Sequence, residues 1–199
     1  MKIIFATANS NKLREVQDIL NETFQLHTPA EYCITEDIPE TGDTLEKNAL
    51  QKARYIYHKT GMNCFADDTG LEVESLGGEP GVFSARYAGE QKNSKDNMEL
   101  LLNKMKECPN REARFRCVIA LIFEKEEYLF EGVVNGHITE TPSGEHGFGY
   151  DPVFIPDGYD ITFAQMSESE KNRISHRAIA INRLTDFLTS QPHPERDDS

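Results

Sequence analysis

The chain has 199 residues, 38% of them hydrophobic, with 34 acidic against 21 basic side chains and a net charge of −13. That length suits one large domain with its own core, and the average field repels DNA or RNA, which disfavours a nucleic-acid-binding protein in a chain with no basic stripe. The longest apolar stretch, Cys117–Phe123, is too short to span a bilayer, and Met1–Ala6 runs straight into polar Thr7–Asn11, which leaves no room for a signal-peptide core; the expected compartment is the cytoplasm.

Lys2–Ala6 reads as a short buried strand, and Asn11–Asn21 as a helix with Leu13, Val16, Ile19 and Leu20 on one face. Phe24–Thr28 alternates like a second strand. A helix is expected from about Asp43, with Asp43 and Glu46 spaced as a capping box and Leu45, Ala49, Ala53, Ile56 and Tyr57 as its apolar stripe. A strand over Asn63–Ala66 ends in Asp67-Asp68-Thr69-Gly70. Leu71 and Val73, alternating with Glu72 and Glu74, predict a further half-exposed strand. Gly77–Gly81 reads as a loop and Asn93–Lys106 as a helix. Arg114–Glu124 and Tyr128–Thr139 predict a long antiparallel hairpin turning at Lys125-Glu126-Glu127. Pro142–Pro156 is rich in glycine and aromatics. Ser167 with Glu170 starts a short helix, and Ser175–Ser190 forms the last one. Gln191–Ser199 reads as a frayed tail beyond a single domain of residues 1–190. The intermixed elements predict a mixed α/β protein, an elongated sheet flanked by helices in two lobes, with the hairpin in the second. Cys33, Cys64, Cys108 and Cys117 lack C-x-x-C spacing and read as reduced thiols, not a zinc site.

In so acidic a chain an anionic small molecule needs a place where the field is locally reversed, and four stretches offer one. In the first, Thr7-Ala8-Asn9-Ser10-Asn11-Lys12 opens a helix, whose amide groups and dipole bind phosphate, with Lys12 adding a point charge. Simple capping by Asn9 or Ser10 explains the same residues equally well. In the second, Asp67 and Asp68, with Glu40 upstream, suit Mg²⁺, which takes oxygen ligands and bridges to phosphates. In the third, Gly147-Phe148-Gly149-Tyr150-Asp151-Pro152 allows close backbone approach and offers Phe148 or Tyr150 for stacking on a base, although a tight turn with its aromatics packed into the core is the better reading of this stretch taken alone. In the fourth, Ser175-His176-Arg177, with Lys171 just before, places cations at a helix start, against the dipole preference, which suggests an anion or a carbonyl oxygen as their target.

Taken in order, Thr7–Lys12, Glu40-Thr41-Gly42, Ala66–Leu71, Leu76–Tyr87, Phe148–Pro152 and Ser175–Arg177 resemble the motifs of the inosine/xanthosine triphosphate pyrophosphatases, the RdgB-like family. The resemblance implies a two-lobed α/β fold with a central substrate cleft, a homodimer and Mg²⁺. It implies hydrolysis of ITP, dITP and XTP to the monophosphate and pyrophosphate. By the same resemblance Thr7–Lys12 hold the triphosphate with Thr69, Asp68 is metal ligand and proposed general base, Asp67 and Glu40 are its acidic companions, Glu40 toward the metal, and Asp67 and Lys12 share in catalysis with Asp68. Phe148, Gly149, Tyr150, Asp151, Lys171, His176 and Arg177 contact the base. The chain departs from the pattern at Ala8 and Asn11, where the family often has glycine. It also carries Lys47 in place of the glutamate of T-F-x-E-N-A, which leaves Glu40 or Glu46 to complete the metal site. The competing readings are a pyrophosphatase for other modified nucleotides and a nucleotide-binding sensor without turnover.

Overall fold

The computed structural model describes residues 1–20 and 24–191; Asn21, at the end of the first expected helix, and the expected tail beyond Gln191 lie outside the described residues. Lys2–Phe5 forms strand β1, and helix α1 (Ser10–Ile19) carries the chain to β2 (Gln25–His27), parallel to β1. Helix α2 (Leu45–Thr60) then leads to β3 (Cys64–Val73), parallel to β1 on its other side. Helix α3 (Ser94–Lys104) precedes the antiparallel strands β4 (Glu112–Phe123) and β5 (Glu126–Ile138). Short β6 (Phe154–Pro156) and helices α4 (Glu168–Ile174) and α5 (His176–Ser190) complete the expected mixed α/β architecture, with sheet order β2-β1-β3-β4-β5-β6. No helix among the described residues is long and apolar enough to cross a membrane.

Two cores lie on opposite faces of the parallel end of the sheet. On one face Val16 of α1 and Ala180, Ile181 and Leu184 of α5 pack with Phe5, Phe65 and Ile119. On the other, Ala49, Ala53 and Ile56 of α2 pack with Ile4, Ala66 and Val118. The connections leaving β1 and entering β3 therefore cover different faces, and ligands of open α/β sheets sit outside the strand ends where that reversal occurs. A third core, with Leu71, Val73, Phe115, Phe154 and Phe163, fills the far end of the long strands.

Three local expectations are corrected. β3 is one strand, with unbroken pairing to β4 from Cys64↔Ile122 to Val73↔Ala113, so the two aspartates lie mid-strand and do not end it. Leu71 and Val73 do alternate as expected: both are fully buried under Leu101 and Met105, around the end of α3, while Glu72 is half-buried and Glu74 exposed. Helix α2 is capped by Thr44, whose hydroxyl accepts from the Lys47 amide at 3.2 Å; Asp43 bonds the Lys47 ammonium at 2.6 Å instead. The hairpin turns tightly at Glu124-Lys125, both at positive φ (50° and 73°), which matches the twist of the flanking strands and lets Glu126 and Glu127 begin β5. Ser167 and Glu170 do start the expected short helix, and they do so as a capping box.

Candidate active site

Successive residues of a strand point to opposite faces of its sheet. Asp67 therefore turns toward α1 and α5, and Asp68 toward α2. The adjacent acids, so alike in sequence, occupy different environments.

On the α1/α5 face, Lys12 Nζ reaches Asp67 Oδ1 at 3.0 Å and Arg177 Nε reaches Oδ2 at 3.2 Å. The Thr69 hydroxyl donates to Oδ2 at 3.2 Å and accepts from Arg177 Nη2 at 3.2 Å. Arg177 also pairs with Glu15, which holds Lys171 at 2.6 Å; Lys171 in turn meets Asp151 at 2.6 Å. Three acids and three cations thus interleave in one chain of ion pairs. Burial alone would raise the Asp67 carboxyl, but Lys12, Arg177 and Lys52 overcome it and hold Asp67 well below the usual carboxylate range. Glu15 behaves alike: burial opposes ionisation, and Arg177 and Lys171 win.

On the α2 face the balance reverses. Asp68 Oδ2 accepts from Asn48 Nδ2 at 3.0 Å, and its Oδ1 lies 3.6 Å from Lys52 Nζ. That ammonium sits closer to Glu40, at 2.5 Å. Burial pushes the Asp68 carboxyl above its ordinary value; Lys52 and Lys12 only partly offset this, and Glu40 adds to it. Asn48 ties the arrangement together, because its Oδ1 accepts from the Gly42 amide at 2.7 Å and so fixes the segment that carries Glu40. Glu46 is drawn elsewhere, to Arg116, which also pairs with Glu131. Of the two acids left to stand beside Asp68, the structure brings Glu40 there and not Glu46. Lys47 points outward to Asp43.

The loop Thr7–Lys12 leaves β1 beside this stretch of β3. Ala8, Asn9 and Ser10 are exposed, and Thr7, Asn11 and Lys12 half-buried. Asn9 caps α1, its Oδ1 accepting from the Asn11 and Lys12 amides at 3.0 and 3.2 Å. The capping explanation of this loop is therefore realised. It coexists with an open helix N-terminus beside two carboxylate faces and the Lys12 charge.

The last two stretches come together around Lys171. Phe148 is half-buried, and its ring lies under Lys171 Nζ and the Arg177 guanidinium, 5.0 and 5.6 Å from the centroid. Asp151 is buried and accepts from the Phe148 amide at 2.8 Å, and Gly149 makes the intervening turn at a φ of 62°. His176 stacks on Phe115, with centroids 4.6 Å apart and planes 11° off parallel. Burial, with Arg177 and Lys171 nearby, drives its pKa well below normal, so the ring is neutral; its buried Nδ1 has no hydrogen-bond partner among the described residues. Two expectations fail here. Tyr150 does not face a ligand, since it is buried in the far core and its hydroxyl donates to the Ser84 carbonyl at 2.9 Å. Arg177 is not a pendant donor, because Asp67, Thr69 and Glu15 engage all three of its nitrogens.

The sequence matches the Ham1 family over residues 3–187. The chain belongs to that family. It is 50% identical over 190 residues to a dITP/XTP pyrophosphatase of Flavobacterium johnsoniae, covering 96% of this chain and 99% of that protein. A dITP/XTP pyrophosphatase of Porphyromonas gingivalis is 51% identical over 188 residues, covering 94% and 97%. The structure of the Staphylococcus aureus Ham1 protein superposes with a TM-score of 0.88 at 40% identity, over 96% of this chain and all of that one.

Three residues of this candidate site, Glu15, Asn48 and Lys52, lie outside the motifs. Each sits on the buried face of its helix, where a polar residue demands a partner. Asn48 and Lys52 interrupt the stripe of Leu45, Ala49, Ala53 and Ile56, and that interruption was the available signal.

Proposed function

We propose that this Ham1 protein is a nucleoside triphosphate pyrophosphohydrolase that converts ITP, dITP and XTP to the monophosphate and pyrophosphate. In this reading it works with Mg²⁺, as a cytoplasmic homodimer that clears noncanonical purines from the nucleotide pool. That two relatives about half identical to this chain are dITP/XTP pyrophosphatases supports the reaction. The observation that carries the site assignment is the convergence of Asp68 and Glu40 on one positive centre, the Lys52 ammonium, beside the open end of β1. Two hard oxygen donors already sharing a cation suit Mg²⁺, which typically takes one or two carboxylates and completes its shell with water and substrate phosphate.

Asp68 and Glu40 would hold Mg²⁺ there, and the ion would supply charge neutralisation at phosphate oxygens and a lowered pKa for bound water. The chain's own residues do the rest. The helix start at Ser10–Lys12 and the Lys12 ammonium orient the triphosphate. Asp68, its carboxyl raised by burial, can accept a proton from water attacking the α-phosphorus as pyrophosphate leaves. Phe148 stacks on the base under the Lys171 charge, while Asp151 and Glu15 fix that lysine. His176 and Lys171 are the donors for a 6-oxo group, and Arg177 holds the floor beneath them. Adenine presents an amino donor at that position, and a site built around donors can reject it by ~10⁴-fold. Hydrolysis of dITP in ¹⁸O-labelled water tests the chemistry. The label is expected in dIMP, and label confined to pyrophosphate or orthophosphate would refute attack at the α-phosphorus.

A further inference from the structure

We infer that Gly132, in the middle of β5, is a positioning residue that sets oxopurine selectivity by seating the first turn of α5. The inference rests on the base-binding role given to His176 and its neighbours above. In the sheet register Thr69 lies opposite Cys117, and Cys117 opposite Gly132. These three small residues form a row across three strands beneath the start of α5. Along the same face of β5, Tyr128 and Phe130 pack into one core and Val134 into another, so the missing side chain at Gly132 is a notch in an otherwise apolar surface. Helix α5 drops into it. A Cβ at Gly132 would overlap the His176 carbonyl oxygen and approach the Ala180 nitrogen to 2.7 Å and Ile179 Cβ to 3.0 Å.

Packing alone does not require this depth, since helices and sheets tolerate larger residues at a somewhat greater separation. The depth matters for what the first turn carries. Arg177 reaches Asp67 and Thr69 at 3.2 Å each, and His176 rests on Phe115 at 4.6 Å. None of these contacts has slack for a helix raised by a methyl group. Lifting the turn moves the base-recognition groups directly, while Asp68 and Glu40, on the other face of β3, stay in place and Lys12 is reached only through the Asp67 carboxylate it shares with Arg177. A misplacement of ~1 Å can cost about 100-fold in rate.

The test compares wild type, Gly132→Ala and Cys117→Val, which thickens the same floor one strand away, with Ile56→Ala, a core truncation under α2 that serves as a stability control. Turnover of dITP and dATP is measured for each, along with the proton resonances of the His176 imidazole, which Phe115 shifts by its ring current. Gly132→Ala is expected to lower the dITP-to-dATP ratio of kcat/KM by about tenfold or more, chiefly through KM for dITP, and to move the imidazole resonances. Cys117→Val should act in the same direction and carries the test if Gly132→Ala does not fold. Ile56→Ala should melt earlier yet keep the ratio. A folded Gly132→Ala or Cys117→Val protein with the wild-type ratio and unmoved resonances would overturn the inference. So would an equal loss of ratio in Ile56→Ala. A wild-type enzyme without preference for dITP would instead defeat the functional reading, and that failure appears before any substitution is made.

Discussion

The two faces of β3 at Asp67 and Asp68 hold similar charges and differ in how completely those charges are answered. On the α1/α5 face, Asp67, Glu15 and Asp151 alternate with Lys12, Arg177 and Lys171 at close range, and Asp67 is held firmly ionised. On the α2 face, Asp68 and Glu40 share one ammonium, and the Asp68 carboxyl is pushed upward by burial. The first face is a settled scaffold that breaks when a partner is lost. The second is short of positive charge, a deficit that a divalent cation would fill. Neighbouring identical residues are thereby given opposite duties by strand alternation alone.

The sharpest way to break this comparison is on turnover. Asp68→Asn should lower kcat by ~10³-fold at saturating Mg²⁺, the scale of removing one preorganised electrostatic group. Chelation of Mg²⁺ should abolish turnover while leaving the circular dichroism spectrum unchanged. Next comes stability. Asp67→Asn strands Arg177 and Lys12 in a buried network and should cost about 3–5 kcal/mol in urea unfolding. Phe148→Ala should raise KM for dITP about tenfold with a smaller change in kcat, because stacking a base on an aromatic ring contributes ~1–3 kcal/mol. The smallest effect is on pH dependence. The folded pKa of His176 is lowered, so on acidification the unfolded chain takes up this proton first. The His176 contribution to stability is complete above ~6.5 and is lost as pH falls below it. His176→Gln should flatten that slope between about pH 5 and 7.

Motif order in the sequence pointed to the family, the reaction and the residues that meet at the β1/β3 junction, because each motif is a short contiguous stretch. What it hid were consequences of packing. Asp67 and Asp68 resemble the end of a strand until β4 pairs with the entire length of β3. Tyr150 resembles a stacking residue until its burial against Ser84 is seen. Arg177 resembles a free donor, yet its acidic partners lie 110 and 162 positions away in the chain. The choice between Glu40 and Glu46 turned on Arg116, a strand residue in no motif, which claims Glu46. Asn48 and Lys52 were in view as polar breaks in a helical stripe, but which acids they serve depends on the crossing of α2 over β3.

Equilibrium urea unfolding of Asp68→Asn beside wild type, in Mg²⁺-free buffer at neutral pH, tests the division between the faces most directly. A carboxyl whose folded pKa is raised is more costly to ionise in the folded chain than in the unfolded one, so removing its charge relieves the fold. The account predicts a midpoint equal to or above that of wild type in an enzyme that no longer turns over. A midpoint lowered as far as that of Asp67→Asn would contradict it, because Asp68 would then belong to the scaffold.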